Sequence, residues 1–399
     1  MNSSMSSVLI AGYGTITVVF LAYTFRPYFF SSVRFFKRDS KPASPSAHSP
    51  MVTVVLPAYN EANVIERVLQ RCTTFDYDNY EVIVVDDSND GTTEKLAKWA
   101  SRVKVVHRNS RKGWKGGAIN ESLKFFNKNS EYTIVLDADS LPEKDLIRKF
   151  ISKIEDGYDV VQGVQVPDLN ISYNRIAEAA AAIQGYYQFI EQPSKGMVGL
   201  PVSITGSNFI IKTELLKKFK FAEDIGEDWD LTLRLLSSGH RIKYDPEVVT
   251  RCESPYTVGE AIKQYIRWSE GMVRATVKHL NKIMKSDMKF ISKMDIIMTG
   301  FSPLITLLLI ASTVMGAYLA INNASFQLVL IPVSVFTLLS GFVTMVASTL
   351  KMGINPLIAF LSEALYFIFV PFSIYASLRG FALKKGHFHR TTKLGYISS

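Results

Sequence analysis

Cysteine is nearly absent. The 399 residues hold only Cys72 and Cys252, neither with a second cysteine at metal or redox spacing, so no disulfide framework and no zinc site is implied. Charge is sparse as well, 20% of the chain against 47% hydrophobic residues. That is greasier than a soluble enzyme of this length, and part of the chain is expected in lipid. The first apolar segment lacks the small-residue cleavage site of a signal peptide, so a retained anchor is expected there. The formal charge of +9 raises nucleic acid as a partner. Much of the basic excess flanks apolar segments, however, where positive-inside orientation and anionic lipid account for it, and no nucleic acid is expected.

The hydrophobicity gathers at the two ends. Residues 7–30 carry no charge before Arg26 and are long enough to cross a bilayer. The flank MNSSMSS is uncharged, whereas Arg26, Arg34, Lys37, Arg38 and Lys41 follow the span, which places the downstream side in the cytoplasm. The expected organisation is an anchor over 1–30, a linker over 31–50, a cytoplasmic domain over 51–280 and an interfacial helix over 281–295. Transmembrane helices are then expected over 296–383 and a basic tail over 384–399. Candidate spans fall near 296–320, 327–349 and 356–381. Three spans would put Lys384, Lys385, His387, His389 and Arg390 outside, against the positive-inside rule, so one of the three is expected to be interfacial, re-entrant or misjudged.

Between the ends, β-branched runs alternate with amphipathic stretches: VTVVLPAY, EANVIERVLQRC, YEVIVVDDS, TTEKLAKWA, VKVVHR, then YTIVLDADS. Strand, helix, strand is the pattern of a parallel sheet with crossover helices. Ligands of such sheets bind beyond the carboxyl ends of the strands. The groups there are Tyr59, Asn60 and Glu61, then Asp86 and Asp87, then Asp137 and Asp139. The last two put hard oxygen ligands within reach of one Mg²⁺ or Mn²⁺, which suits a diphosphate leaving group. A solvated turn is the plain alternative for a lone D-x-D, and helix capping for Asp86-Asp87.

Arg111 to Ala118, RKGWKGGA, offers cations and permissive backbone suited to phosphates. Gly226-Glu227-Asp228-Trp229-Asp230 opens a helix, where capping is again the plain reading. On a further helix Gln264, Arg267 and Trp268 share a face. They present an amide, a guanidinium and a ring fit for a diphosphate and a sugar; a membrane-surface helix uses Arg and Trp too.

These ordered motifs, P-A-Y-N-E, D-D-S, R-K-G-W-K-G-G-A, D-A-D, G-S-N at 206–208, G-E-D and Q-x-x-R-W, resemble the membrane-bound family 2 glycosyltransferases, which include cellulose, hyaluronan and mannan synthases. The forms D-D-S-N-D and E-D-W-D-L are most similar to β-mannan and glucomannan synthases. The resemblance implies an α/β GT-A domain, Rossmann-like in its nucleotide binding, with α-helical transmembrane segments in a multi-pass protein. It implies nucleotide contacts from Tyr59, Glu61, Asp86, Asp87, Lys115, Asp137, Gln264, Arg267, Thr392 and Lys393, the last two as a gate. It also implies a metal on Asp137 and Asp139, Asp228 as base beside Glu227, and an acceptor at Trp268, Gly206, Ser207 and Trp229. Gly226 departs from the usual T-E-D. The expected activity is inverting, metal-dependent transfer from a UDP- or GDP-sugar to a growing β-linked polysaccharide. The alternatives are transfer of one sugar to a membrane lipid, ceramide glucosyltransferase-like or onto a polyprenyl phosphate, and a catalytically dead transporter or scaffold.

Overall fold

The computed structural model describes residues 3–37, 48–322, 327–382, 386 and 390–395. Its centre is one eight-stranded sheet of β1 (Val52–Ala58), β2 (Tyr80–Asp86), β3 (Lys104–His107), β4 (Tyr132–Val135), β5 (Leu141–Pro142), β6 (Val160–Val166), β7 (Phe209–Lys212) and β8 (Ile242–Arg251). The order is β3-β2-β1-β4-β7-β6-β8-β5. Helices Ile65–Cys72, Thr92–Ala97 and Trp114–Ser122 make the early crossovers. The runs of valine and isoleucine are continuous because both faces of the sheet are covered. Val54, Leu56, Val82 and Val84 pack on Ile65, Val68, Leu69 and Leu96, while Val55 and Val135 pack on Ile119, Phe209 and Leu231.

Strands β1 to β4 are parallel, as expected, and their carboxyl ends share one edge. The sheet as a whole is mixed, since β7 runs antiparallel to both β4 and β6. The reversal is made just before β7, where Gly206 and Asn208 take positive φ and the Asn208 Nδ2 donates to the carbonyls of Val164 and Val248.

Among the described residues three helices are long and apolar enough to cross a membrane, Ile10–Phe36, Ile331–Met352 and Ile358–Phe381. The first belongs to one continuous helix, Ser3–Phe36, so the expected linker starts later than 31; residues 38–47 lie outside the described residues. The expected span 296–320 is not one helix. Phe290–Gly300 ends, a 3-10 turn occupies Ser302–Leu304, and Ile305–Asn322 begins anew, because Pro303 has no N–H to continue the first helix. The expected domain limit at 280 falls inside the helix Val258–Lys285, which Thr257 caps through the Glu260 N–H at 3.2 Å.

Helix Ile358–Phe381 lies alongside Val258–Lys285. Phe369 stacks on Tyr265 at 4.7 Å, Ser373 donates to the Tyr265 hydroxyl at 3.0 Å, and a Cβ on Gly380 would stand 2.9 Å from Val273. Of the expected basic tail, Lys384, Lys385, His387 and His389 lie outside the described residues. Residues Arg390 to Gly395 lie against the α/β domain.

Candidate active site

One cavity of about 520 Å³ lies over the carboxyl edge of β1, β2 and β4. At one end Asp87 receives both arms of the Arg108 guanidinium, and Arg111 stacks over the Tyr59 ring at 3.2 Å. Lys115, at the start of its helix, pairs with Asp137. Burial works against its charge, but Asp137, Glu227 and Asp228 around it raise its affinity for the proton.

The two acids of G-E-D enter from the other side. Helix Glu227–Leu236 starts on Gly226, whose φ is +72°. A Cβ there would meet the backbone of Gly271 at 2.7 Å, so the departure from T-E-D follows from two helices touching glycine to glycine. Asp228 Oδ1 accepts the Trp229 N–H at 2.7 Å. A Cβ on Gly206 (φ +82°) would stand 3.2 Å from its Oδ2, so the loop before β7 leaves the carboxylate open on that side. Burial, and next the neighbouring charge of Asp228, push Glu227 up to about 7. Burial likewise raises Asp228. An acid shifted towards neutrality is matched to accepting a proton near pH 7.

The tail closes the cavity. Lys393 Nζ pairs with Asp139 Oδ2 at 2.5 Å, and this pairing holds Asp139 below the usual carboxylate range although burial alone would raise it. Arg390 clamps Glu61 through two bonds of 3.0 and 2.8 Å, yet burial dominates and lifts Glu61 to about 7. Glu253, whose side chain is fully buried, accepts the backbone N–H of Leu394 at 2.7 Å and of Gly395 at 3.1 Å.

Asp137 and Asp139 thus stand at one strand end, each covered by a lysine. Among the described residues no group of three His, Cys, Asp or Glu could hold a metal. Two carboxylates completed by phosphate oxygens and water are the usual donor set of Mg²⁺ in nucleotide sites, and these residues fit it.

Of the expected site residues, Tyr59, Glu61, Asp87, Lys115, Asp137, Asp139, Gly206, Glu227, Asp228, Trp229, Gln264, Arg267, Trp268 and Lys393 line the cavity. Three do not. Asp86 is fully buried, bound to the Ser88 N–H, Thr93 and His107, and shapes the turn after β2. Ser207 is also fully buried and accepts the Asp137 N–H at 2.8 Å, so it supports the D-A-D strand end from behind. Thr392 donates its backbone N–H to Glu260 at 3.1 Å, while Thr391 and Arg390 reach the cavity. Trp229 is itself buried, its indole N–H bonded to Thr276 at 2.8 Å. Sequence reasoning missed Arg26, Gln184, Tyr187, Gln188 and Glu191 on the wall. Arg26 had read only as a positive flank of a span.

The fold and these acids define a glycosyltransferase built on a GT-A domain. The family described as "Glycosyltransferase like family 2" matches residues 49–271, more than half of the chain, and the protein belongs to it. Probable glucomannan 4-beta-mannosyltransferase 7 of Oryza sativa subsp. japonica is 26% identical over 236 residues, 56% of this chain and 40% of the relative. Poly-beta-1,6-N-acetyl-D-glucosamine synthase of Staphylococcus aureus (strain MSSA476) is 26% identical over 255 residues, 59% of this chain and 58% of the relative. The chain spans about half the length of the curated relatives it matches. The mannosyltransferase PcManGT from Pyrobaculum calidifontis, solved in complex with GDP-Man and Mn²⁺, shares the fold. Its TM-score is 0.62 at 22% identity, covering 92% of this chain and 99% of that one.

Proposed function

We propose that the protein transfers a hexose with inversion from a nucleotide-activated donor to the end of a β-linked polysaccharide, at the cytoplasmic face of a membrane. The observation that carries this is the continuity of the cavity. It runs from Tyr59, Asp87 and Lys115 past Asp137, Asp139 and Asp228 to Trp268, and on to Arg26 of the first apolar helix. A donor bound at one end and an acceptor held at the membrane end would meet at Asp228.

Asp137 and Asp139 would hold the divalent cation, which supplies charge neutralisation on the leaving diphosphate. Lys115 and Arg267 add positive charge to the same region; both act on Asp228 and Glu227. Asp228 takes the proton of the acceptor hydroxyl as that oxygen bonds to the anomeric carbon. The diphosphate leaves from the opposite side, and an α-linked donor gives a β-linked product. One base suffices for a single displacement. Trp268, 40% exposed, offers a ring face to the acceptor's terminal sugar. Asp230 is not available as an alternative base. It is bonded to Arg234 at 2.6 Å, His279 at 2.7 Å and Lys278 at 3.0 Å, partners that hold it below the usual carboxylate range although burial alone would raise it.

The GDP-Man and Mn²⁺ held by the solved neighbour make GDP-mannose the first donor to try. The test is release of nucleoside diphosphate by detergent-purified protein from a panel of GDP- and UDP-sugars. One donor should support turnover, excess chelator should abolish it, and Mg²⁺ or Mn²⁺ should restore it. Full turnover in chelator would remove the metal from Asp137 and Asp139.

A further inference from the structure

One buried charge network is left unused by donor and acceptor. The helix Val258–Lys285 turns Gln264, Arg267 and Trp268 to the cavity, whereas Glu270 and Arg274, one turn apart on the same helix, do not line it. They are only 3% and 5% exposed. Arg274 Nη2 donates to Glu270 Oε1, and Arg274 Nη1 stands 3.6 Å from Asp224 Oδ2. Arg379, at the end of the apolar helix Ile358–Phe381, pairs with Glu270 Oε2 at 3.2 Å. Gly380 beside it lets the two helices touch, since a Cβ there would stand 3.0 Å from the Glu270 carbonyl oxygen. Cations and carboxylates thus alternate, Arg379, Glu270, Arg274, Asp224, from an apolar helix to the loop ahead of Asp228.

That loop, residues 221–226, is held on both sides. Asn120, on the helix that carries Lys115, accepts the Phe221 N–H at 2.8 Å and donates to the Phe221 carbonyl at 3.0 Å. Asp224 Oδ1 accepts the N–H of Ile225 at 2.8 Å and of Gly386 at 3.2 Å. Gly226 then meets Gly271, and a Cβ on either would stand 2.7 Å from the other's backbone. Gly226 offers no side chain to cap the helix Glu227–Leu236 that it starts, and Trp229 in the first turn bonds to Thr276 of Val258–Lys285. The turn that carries Asp228 therefore rides on the long helix, with Asp224 as its charged contact.

Ion pairs buried this deeply add little stability over apolar residues of the same volume, and their attested use is to fix one arrangement among several. We infer that Asp224, Glu270, Arg274 and Arg379 are positioning residues, which tie the Asp228 turn to the apolar helix Ile358–Phe381, so that the placement of this helix sets how well Asp228 meets the acceptor hydroxyl. This role rests on Asp228 being the base, as proposed above. None of the four lines the cavity, so donor affinity should not depend on them, whereas the rate of transfer should.

The test uses the full-length protein in detergent with the donor found active in the panel. Arg379→Gln removes an arm whose side chain is 33% exposed, so the fold should tolerate it. Asp224→Asn keeps an oxygen for the Ile225 and Gly386 N–H groups but removes the charge that faces Arg274. Each should lower kcat by about tenfold, since a misplacement of about 1 Å can cost up to about 10²-fold. Donor affinity by equilibrium dialysis, and Tm, should stay those of wild type. Arg379→Lys returns a cation to Glu270 and should recover most of the lost kcat. Unchanged kcat in both variants would overturn the role, as would a loss shared by donor affinity or accompanied by a lowered Tm, which marks a merely structural network. Wild-type turnover by Asp228→Asn would instead overturn the reading of the base, and this inference with it.

Discussion

Asp228 and Glu227 are neighbours in a buried corner whose cations are Lys115 and Arg267, and burial is the main cause that raises both. Asp228→Asn keeps the shape and the bond from the Trp229 N–H but removes the proposed proton acceptor. Turnover should fall by about 10²- to 10⁴-fold while donor binding, followed by equilibrium dialysis, persists; near-normal turnover would move the base elsewhere. The pH dependence has a defined sign. The proposed base acts ionised, and burial raises Asp228 above the usual carboxylate range, so kcat/KM should decline as pH falls, with the acid limb displaced upward from that range. Glu227→Gln removes one negative charge beside Asp228, eases its ionisation and should move this acid limb to lower pH. A limb that stays in place would show that the pair is not what titrates.

At the scale of elements, β1, β2 and β4 were legible because each is a run of largely β-branched residues covered on both faces, with acids at or just after its carboxyl end. Strand β7 was not, since FIIK is only four residues long and its antiparallel direction depends on two positive-φ residues before it. The Q-x-x-R-W face was legible from helical spacing. The Gln184 to Glu191 face was not, because alanines at interleaved positions obscure the periodicity and the π-helical turn Tyr186–Glu191 breaks it. Helix Ile358–Phe381 has the length and composition of a span, yet it packs along Val258–Lys285, and the chain after it returns to the α/β domain. We therefore expect it to lie along the membrane surface, with Phe360, Ile368 and Leu378, all exposed, towards lipid. That disposition removes the conflict between three late spans and a basic tail. Leu357→Cys, just before this helix, and Thr392→Cys, in the segment after it that lies against the α/β domain, should react with an impermeant thiol reagent from the same side of sealed vesicles. Labelling from opposite sides would make it a crossing helix.

For the whole molecule, the central matter is what leaves the cavity. A volume of about 520 Å³ falls within the roughly 300–1,000 Å³ common for ligand sites. It joins the acids at the strand ends with a mixed polar and apolar wall beside Arg26 of the first apolar helix. A chain end resting on Trp268 after each transfer would be placed for the next, so Trp268→Ala should shift products to shorter lengths or to donor hydrolysis. The most direct test is to size the radiolabelled product of the purified wild-type protein, supplied with its active nucleotide sugar, on one gel. The expected product is a β-linked ladder extending to long polymer. A single band of lipid carrying one sugar would contradict it.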